Sequence, residues 1–167
     1  MEQIHYYMFK SRVGSLGLAT SSKGLAFIAL PNESKKAFTD RIKKQLPKCE
    51  LVEDEKANKG AFGQIEKYLK GSLKKFDLRL DIQGTPFQQK VLKQVAKIPY
   101  GKTKTYGEIA QAVGSPKAFR AVGSANAKNN LPLVIPCHRV VATTGMGGYG
   151  GGIKMKKSLL ELEGAFK

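Results

Sequence analysis

Residues 105–129 read TYGEIAQAVGSPKAFRAVGSANAKN. Thr105 with Glu108 three residues on is a capping box, in which hydroxyl and carboxylate each satisfy a backbone N–H at a helix start. A helix over Tyr106–Val113 is predicted, ending at Gly114. Ser115 caps Pro116 onward, and Lys117–Ala127 forms a second helix. Two helices joined by a tight Gly-Ser connection predict a helix-turn-helix. Upstream, Thr85-Pro86 is an N-cap followed by proline at the first helical position. It opens a helix over Phe87–Ile98, with Val91, Leu92, Val95 and Ile98 inward, stopped by Pro99-Tyr100-Gly101.

The second helix of the pair is built of small residues: Ala118, Ala121, Ser124, Ala125 and Ala127. Helices that read base edges in the major groove usually project long polar side chains. Only Arg120 and Asn126 are available for that here. The surface is suited to lying close against a groove and inspecting many sites without selecting one operator.

Charge points to a polyanionic partner. The 167-residue chain has 29 Lys and Arg against 13 Asp and Glu, a formal net charge of +16. Residues 1–83 hold 16 basic and 10 acidic side chains, and residues 84–167 hold 13 and 3. From Gly84 to Leu160 the sole acid is Glu108. DNA or RNA is the first candidate partner of such a half; the bland reading is that excess lysine only maintains solubility. Apolar residues form 41 % of the chain, which argues against disorder. No apolar run approaches the roughly 20 residues of a membrane span, and MEQIHYYMFKS is too polar for a signal peptide. A cytoplasmic protein with reduced thiols is expected.

Residues 1–83 read as a small α/β domain. Strands are predicted over Ile4–Phe9, Gly14–Thr20 and Leu25–Leu30, helices over Lys35–Leu46 and Ala57–Leu69, and a last strand over Phe76–Leu80. Asp81–Thr85 is the boundary with a mostly helical domain over 84–167.

In Leu133–Val141, LVIPCHRVV, a thiol stands beside an imidazole and a guanidinium, between two strand-like runs. A cation near a cysteine lowers its pKa and raises the thiolate fraction. Neighbours in sequence need not point the same way. The alternative is a packed cysteine, a core histidine and an arginine that anchors a strand to backbone. Cys49 has no partner pattern and is assigned to packing. Two distant cysteines and the lone His5 and His138 make no metal-ligand spacing, so no metal is expected.

The PCHRV of residues 136–140 resembles the active-site signature of the O6-alkylguanine-DNA alkyltransferases. FQQKVLKQVAKIPYGKTKTYGEIA (87–110) and SPKAFRAVGSANAKN (115–129) are similar to that family's DNA-binding motif, and GGYGGGIKMKKSLLELEG (147–164) to its glycine-rich loop and last helix. The resemblance implies a ribonuclease H-like small sheet with helices, followed by a winged-helix-like helix-turn-helix domain. It implies irreversible transfer of an alkyl group from O6-alkylguanine, and from O4-alkylthymine, in double-stranded DNA to the protein's own cysteine, without a cofactor.

By the same resemblance, Cys137 is the alkyl acceptor, His138 the general base acting through a water, and Glu163 the acid that orients it. Asn129 ties the turn before the active-site strand. Arg120 fills the gap left by a flipped nucleotide. Tyr106 helps turn that nucleotide out, and Tyr149 walls the guanine pocket. The carbonyls of Val140 and Cys137 take the guanine amino group, and an amide at Gly150 or Gly151 faces O6. Lys104, Lys117 and Ser124 are expected at the DNA surface. The loop from Val141 to Tyr149 is one residue shorter than in some relatives. Zinc ligands found in some relatives are absent from residues 1–83. A monomer is expected, with cooperative assembly along DNA left open. Two other readings stand beside transfer: a helix-turn-helix regulator with a structural Cys137, and a lesion sensor that flips alkylguanine without repairing it.

Overall fold

The computed structural model describes residues 1–165. The chain divides into two compact units, Met1–Ile82 and a second that begins at Gln83.

The first unit is a four-stranded sheet in the order β3-β2-β1-β4. Strands β1 (Gln3–Ser11), β2 (Gly14–Ser21) and β3 (Gly24–Ala29) form an antiparallel meander, and β4 (Glu50–Glu53) joins β1 in parallel. The parallel pairing needs a crossover, which helix α1 (Lys35–Gln45) supplies. Ser34 caps α1 by accepting from the Ala37 N–H. Phe38 and Ile42 of α1 are buried with Ile4, Ala19, Phe27 and Cys49 in one core. Gly17 makes that contact close, since a β-carbon there would lie 2.7 Å from the Phe38 ring. Cys49 is core packing, as expected from its sequence context.

Helix α2 (Glu55–Leu69) packs on β1 and β2. Phe62 stacks on Phe9 with ring centroids 4.2 Å apart. Asn58 of α2 is fully buried. Its amide donates to the carbonyls of His5 and Asp54 and accepts from the Thr20 hydroxyl at 2.7 Å.

Strand β4 was not expected from the sequence, its four residues being too few to show a period. The strand expected over Phe76–Leu80 does not form: its one ladder contact is the isolated bridge between Leu80 and Leu25. Only Leu25 reaches across, donating to Arg79 O and accepting from Asp81 N–H. The Ser21 hydroxyl donates to Asp81 at 2.6 Å, which holds the chain at the end of this unit.

The second unit starts with α3 (Pro86–Val95), capped by Thr85 and Gln88 in a full capping box. It is shorter than expected, because Lys97 and Ile98 bond back to Gln94 and Val95 in tighter turns. Helix α4 (Tyr106–Ala112) carries the expected Thr105–Glu108 box. Helix α5 (Phe119–Ala127) starts two residues later than expected: Ser115 accepts the Ala118 N–H in a turn, and Ala118 gives no side-chain cap. Helices α3, α4 and α5 pack together through Val91, Leu92, Val95, Ile109, Ala110, Val122 and Ala125. After α5 the chain makes irregular turns through Leu133, which is buried at a strained φ of 76°. The run before Pro136 is therefore not a strand. Strand β5 (Lys104–Thr105) pairs in parallel with β6 (Val140–Val141), and α6 (Ile153–Leu162) follows the glycine-rich loop.

No helix among the described residues is long and apolar enough to cross a membrane. Replacing Asn58 with Ala should remove its three hydrogen bonds, to His5 O, Asp54 O and the Thr20 hydroxyl, and cost about 3 kcal/mol at roughly 1 kcal/mol per bond. Chemical denaturation checks this, and an unchanged midpoint would show the network to be dispensable.

Candidate active site

Cys137, His138 and Arg139 form one 3-10 turn between Pro136 and β6. Adjacency in sequence does not by itself fix which side chains meet on such a turn. His138 and Arg139 instead converge on Glu163. The carboxylate lies 2.8 Å from His138 Nε2, and it accepts from Arg139 Nε at 2.8 Å and Nη2 at 2.9 Å. Arg139 Nη1 donates to Ile98 O at 2.6 Å. Glu163 is positioned as the C-cap of α6, and Gly164 turns the chain away with φ 73°. All three side chains are buried. Glu161, the nearby alternative in sequence, is exposed.

Burial pushes the His138 pKa below its ordinary value, and Glu163 opposes the shift. The ring is thus neutral near neutral pH. A carboxylate at Nε2 holds the proton of a neutral imidazole there, leaving the Nδ1 lone pair as the basic position.

The thiol environment differs from the one suggested by sequence. Burial is the largest influence on Cys137 and pushes its pKa up. The opposing influences are the Asn129 side chain and the charge of Lys156, then backbone N–H groups. The guanidinium of Arg139 is engaged by Glu163, so the expected thiolate-stabilising cation beside the cysteine is not that residue. The resting site is a neutral thiol near a neutral imidazole, and a base is needed to make the nucleophile. Asn129 also braces the turn, donating to Ile135 O at 2.9 Å while its carbonyl oxygen accepts from Leu131 N–H at 2.9 Å.

Lys156 was not anticipated. It is fully buried, and its Nζ donates to Val140 O at 2.6 Å and Gly148 O at 3.0 Å. Desolvation lowers its pKa to about 8. The signal was available: Lys156, Leu159, Leu160 and Glu163 share one helical stripe, so the lysine occupies a core position. Two buried charges of opposite sign therefore sit on the inner face of α6.

The parallel β5–β6 pairing sets Thr105 opposite Val141 and so places Tyr106 beside the active-site strand. Burial pushes the Tyr106 phenol up, and it keeps its proton. The Gly148 N–H bonds to its oxygen. Gly147, at φ 74°, lies so close that a β-carbon would meet the Tyr106 oxygen at 2.7 Å. Gly148 is thus held by Tyr106 through its N–H and by Lys156 through its carbonyl. Tyr149 is half-buried with its ring edge-on to His138, centroids 6.4 Å apart.

Arg120, Ser124, Lys117 and Lys104 are all exposed, and Lys104 lies 3.8 Å from Glu108. They belong to the outer surface, apart from the buried cluster. Asn126, considered as a base reader, is buried and donates weakly to Cys137 O at 3.4 Å. It supports the active-site backbone and is not available to a base edge. Gly150 and Gly151 lie on the loop before α6. Among the described residues no group of three or more His, Cys, Asp or Glu is placed to hold a metal.

Two family models match the chain. Residues 4–82 match the ribonuclease-like domain of 6-O-methylguanine DNA methyltransferase, and residues 86–165 match its DNA binding domain. The chain belongs to the 6-O-methylguanine DNA methyltransferase family. The methylated-DNA–protein-cysteine methyltransferase of Methanosarcina acetivorans is 40% identical over 97% of this chain and 99% of its own. The crystal structure of Mycobacterium tuberculosis OGT in complex with DNA is 40% identical, with a TM-score of 0.83 over 96% of this chain and 93% of that one. An O6-methylguanine-DNA methyltransferase from Pyrococcus kodakaraensis is 27% identical, with a TM-score of 0.66 over 96% and 99%. The 6-O-methylguanine DNA methyltransferase fold expected from the sequence is the one observed, with a small sheet and helices followed by a mostly helical unit.

Lys156→Met removes a cation near the sulfur, so the Cys137 pKa should rise further. The alkylation rate with iodoacetamide, followed against pH, should move its midpoint upward. An unmoved midpoint would show that Lys156 acts only as a loop clamp.

Proposed function

We propose that this protein repairs DNA by moving the alkyl group of O6-alkylguanine, and of O4-alkylthymine, irreversibly onto Cys137. The observation that carries the residue assignment is the buried Cys137, His138 and Glu163 arrangement inside the helix-turn-helix unit. DNA is the partner, and the methyltransferase acts once per molecule. Residues 84–167 are the DNA-binding and alkyl-acceptor domain, and residues 1–83 the supporting α/β domain. The protein works as an intracellular monomer that can assemble cooperatively along DNA, and no cofactor is needed because the alkyl group arrives on the DNA.

The neutral thiol gives its proton to His138 Nδ1 through a water, and the resulting imidazolium is stabilised by Glu163. The sulfur attacks the alkyl carbon and an S–C bond forms as the C–O6 bond breaks. The electron pair stays on the guanine, where hydrogen bonds at O6 and a returning proton offset the developing charge. A loop amide at Gly150 or Gly151 serves O6. Tyr106 aids extrusion, and Tyr149 packs against the flipped base. The carbonyls of Cys137 and Val140 accept from the guanine amino group. Val140 O already accepts from Lys156, but a carbonyl has a second lone pair. The thioether has no second nucleophile to release it, which makes transfer stoichiometric.

Reaching O6 in a duplex requires the base to leave the stack. Arg120 occupies the vacated space, while Lys117, Lys104 and Ser124 contact the backbone.

Incubation with duplex bearing labelled O6-methylguanine should label the protein one-for-one on the Cys137 peptide. Cys137→Ala should abolish labelling and retain DNA binding. A regulator or a lesion sensor would not be labelled, and turnover beyond one methyl per protein would contradict the assignment. Arg120→Ala should slow transfer from saturating duplex by about 100-fold, matching the few kcal/mol of unstacking. Transfer from free O6-benzylguanine, which needs no flipping, should be nearly unchanged. Full recovery of the duplex rate at saturation would reduce Arg120 to a phosphate contact.

A further inference from the structure

Phe119 is 52% exposed and is the only exposed aromatic side chain among the described residues. A lone apolar residue on a surface needs no ligand by itself. What distinguishes this one is its place. It opens α5, directly before Arg120. Arg120, Ser124, Ala127 and Lys128 are exposed and recur at helical spacing, so they share one side of α5, while Val122, Ala125 and Asn126 are buried on the other. Phe119 stands at the shoulder of the exposed side. Lys117 is exposed just before it, and no carboxylate occurs from Ser115 to Lys128. A ring set between two cations, on a face of otherwise small side chains, is poorly suited to an apolar protein partner. It is well suited to a duplex, whose phosphates match the cations and whose sugars and base edges match the ring.

We propose that Phe119 is an apolar wedge that packs into DNA beside the nucleotide displaced by Arg120. The proposal rests on the repair reading given above and extends it to a second residue at the lesion. Apolar side chains placed against a base step unstack it partly and bend the duplex. Base–aromatic contacts are tolerant of sequence because every base offers a π-face. A wedge of this kind suits a helix that inspects many sites. Arg120 would fill the stack on one side of the opening while Phe119 covers the neighbouring step, keeping water from the exposed base edges.

The test compares Phe119→Ala and Phe119→Trp with the unsubstituted protein. Three quantities are measured: affinity for unmodified duplex at several salt concentrations, single-turnover transfer from duplex O6-methylguanine, and transfer from free O6-benzylguanine. Phe119→Ala should weaken duplex binding about tenfold, on the order of 1.4 kcal/mol. The slope of log affinity against log salt should not change, because no phosphate contact is lost. Phe119→Trp should bind within about twofold of the unsubstituted protein, since a wedge needs an aromatic ring and not phenylalanine itself. Transfer from the free base should stay unchanged in both. Unaltered duplex affinity in Phe119→Ala overturns the proposal. So does an equal fall in the free-base rate, which would place the effect in the fold, and so does a changed salt slope. Failure of the unsubstituted protein to take up the methyl group would instead sink the repair reading. A tenfold loss of DNA affinity in Phe119→Ala would then still identify Phe119 as a DNA contact.

Discussion

The carboxylate of Glu163 is the point on which the active site depends. It is buried at the end of α6, and it holds His138 through one oxygen while both oxygens serve Arg139. Burying such charges is costly, and the attraction compensates only when geometry is good and the remaining donors are satisfied. Here Arg139 also reaches Ile98 O, so its donors are used on two sides. Removing one member would leave a charge buried without its partner, a loss of about 3–5 kcal/mol. The network thus fixes the 3-10 turn to both α6 and the chain after α3. The direction in which Cys137 points follows from that turn.

Burial, acting against the pull of the same carboxylate, sets the protonation of the site. His138 has a folded-state pKa below its ordinary 6.5, with burial as the cause. The unfolded chain therefore binds a proton that the folded chain does not, at pH just below that value. The stability contributed by a neutral His138 is complete above 6.5 and is lost as pH falls through the folded-state value. Catalysis asks for the same state, because only a neutral ring can take the thiol proton. Near neutral pH the requirements of folding and of chemistry agree.

Much of this was legible in the sequence because it is local. The Thr85 and Thr105 caps, the Gly114 turn and the first three strands depend on residues a few positions apart, and all appear in the structure. The position of Glu163 beside Gly164 could be read through the family resemblance. What local pattern could not show was which neighbours face each other. Cys137, His138 and Arg139 are consecutive, yet the carboxylate of Glu163 gathers His138 and Arg139. The alternation in Phe76–Leu80 looks like a strand, but only Leu80 pairs with the edge strand β3, at Leu25. Lys156 was hidden among exposed lysines of α6, and only its register with Leu159 and Leu160 marks it as buried.

The two-residue parallel pair β5–β6 has an importance out of proportion to its size. It joins Thr105, the cap of α4, to Val141, just beyond the active-site turn. A cap fixes where a helix begins and hence where its first side chain points, which here is Tyr106. The ring lies over Gly123 of α5 on one side and Gly147 of the loop on the other, and at neither position does a side chain intervene. One aromatic residue is thereby in touch with the basic helix, the loop and the neighbourhood of the thiol. At Gly123 a β-carbon would lie 3.9 Å from the Tyr106 ring, so α5 and that ring pack in direct contact. Gly148 bonds Tyr106 through its N–H and Lys156 through its carbonyl, and Lys156 in turn bonds Val140 O and lowers the Cys137 pKa against burial. Small residues along α5 and the glycines of the loop therefore serve one end: they let backbone and ring approach closely enough that α5, the loop and the turn carrying the buried thiol form a single packed unit.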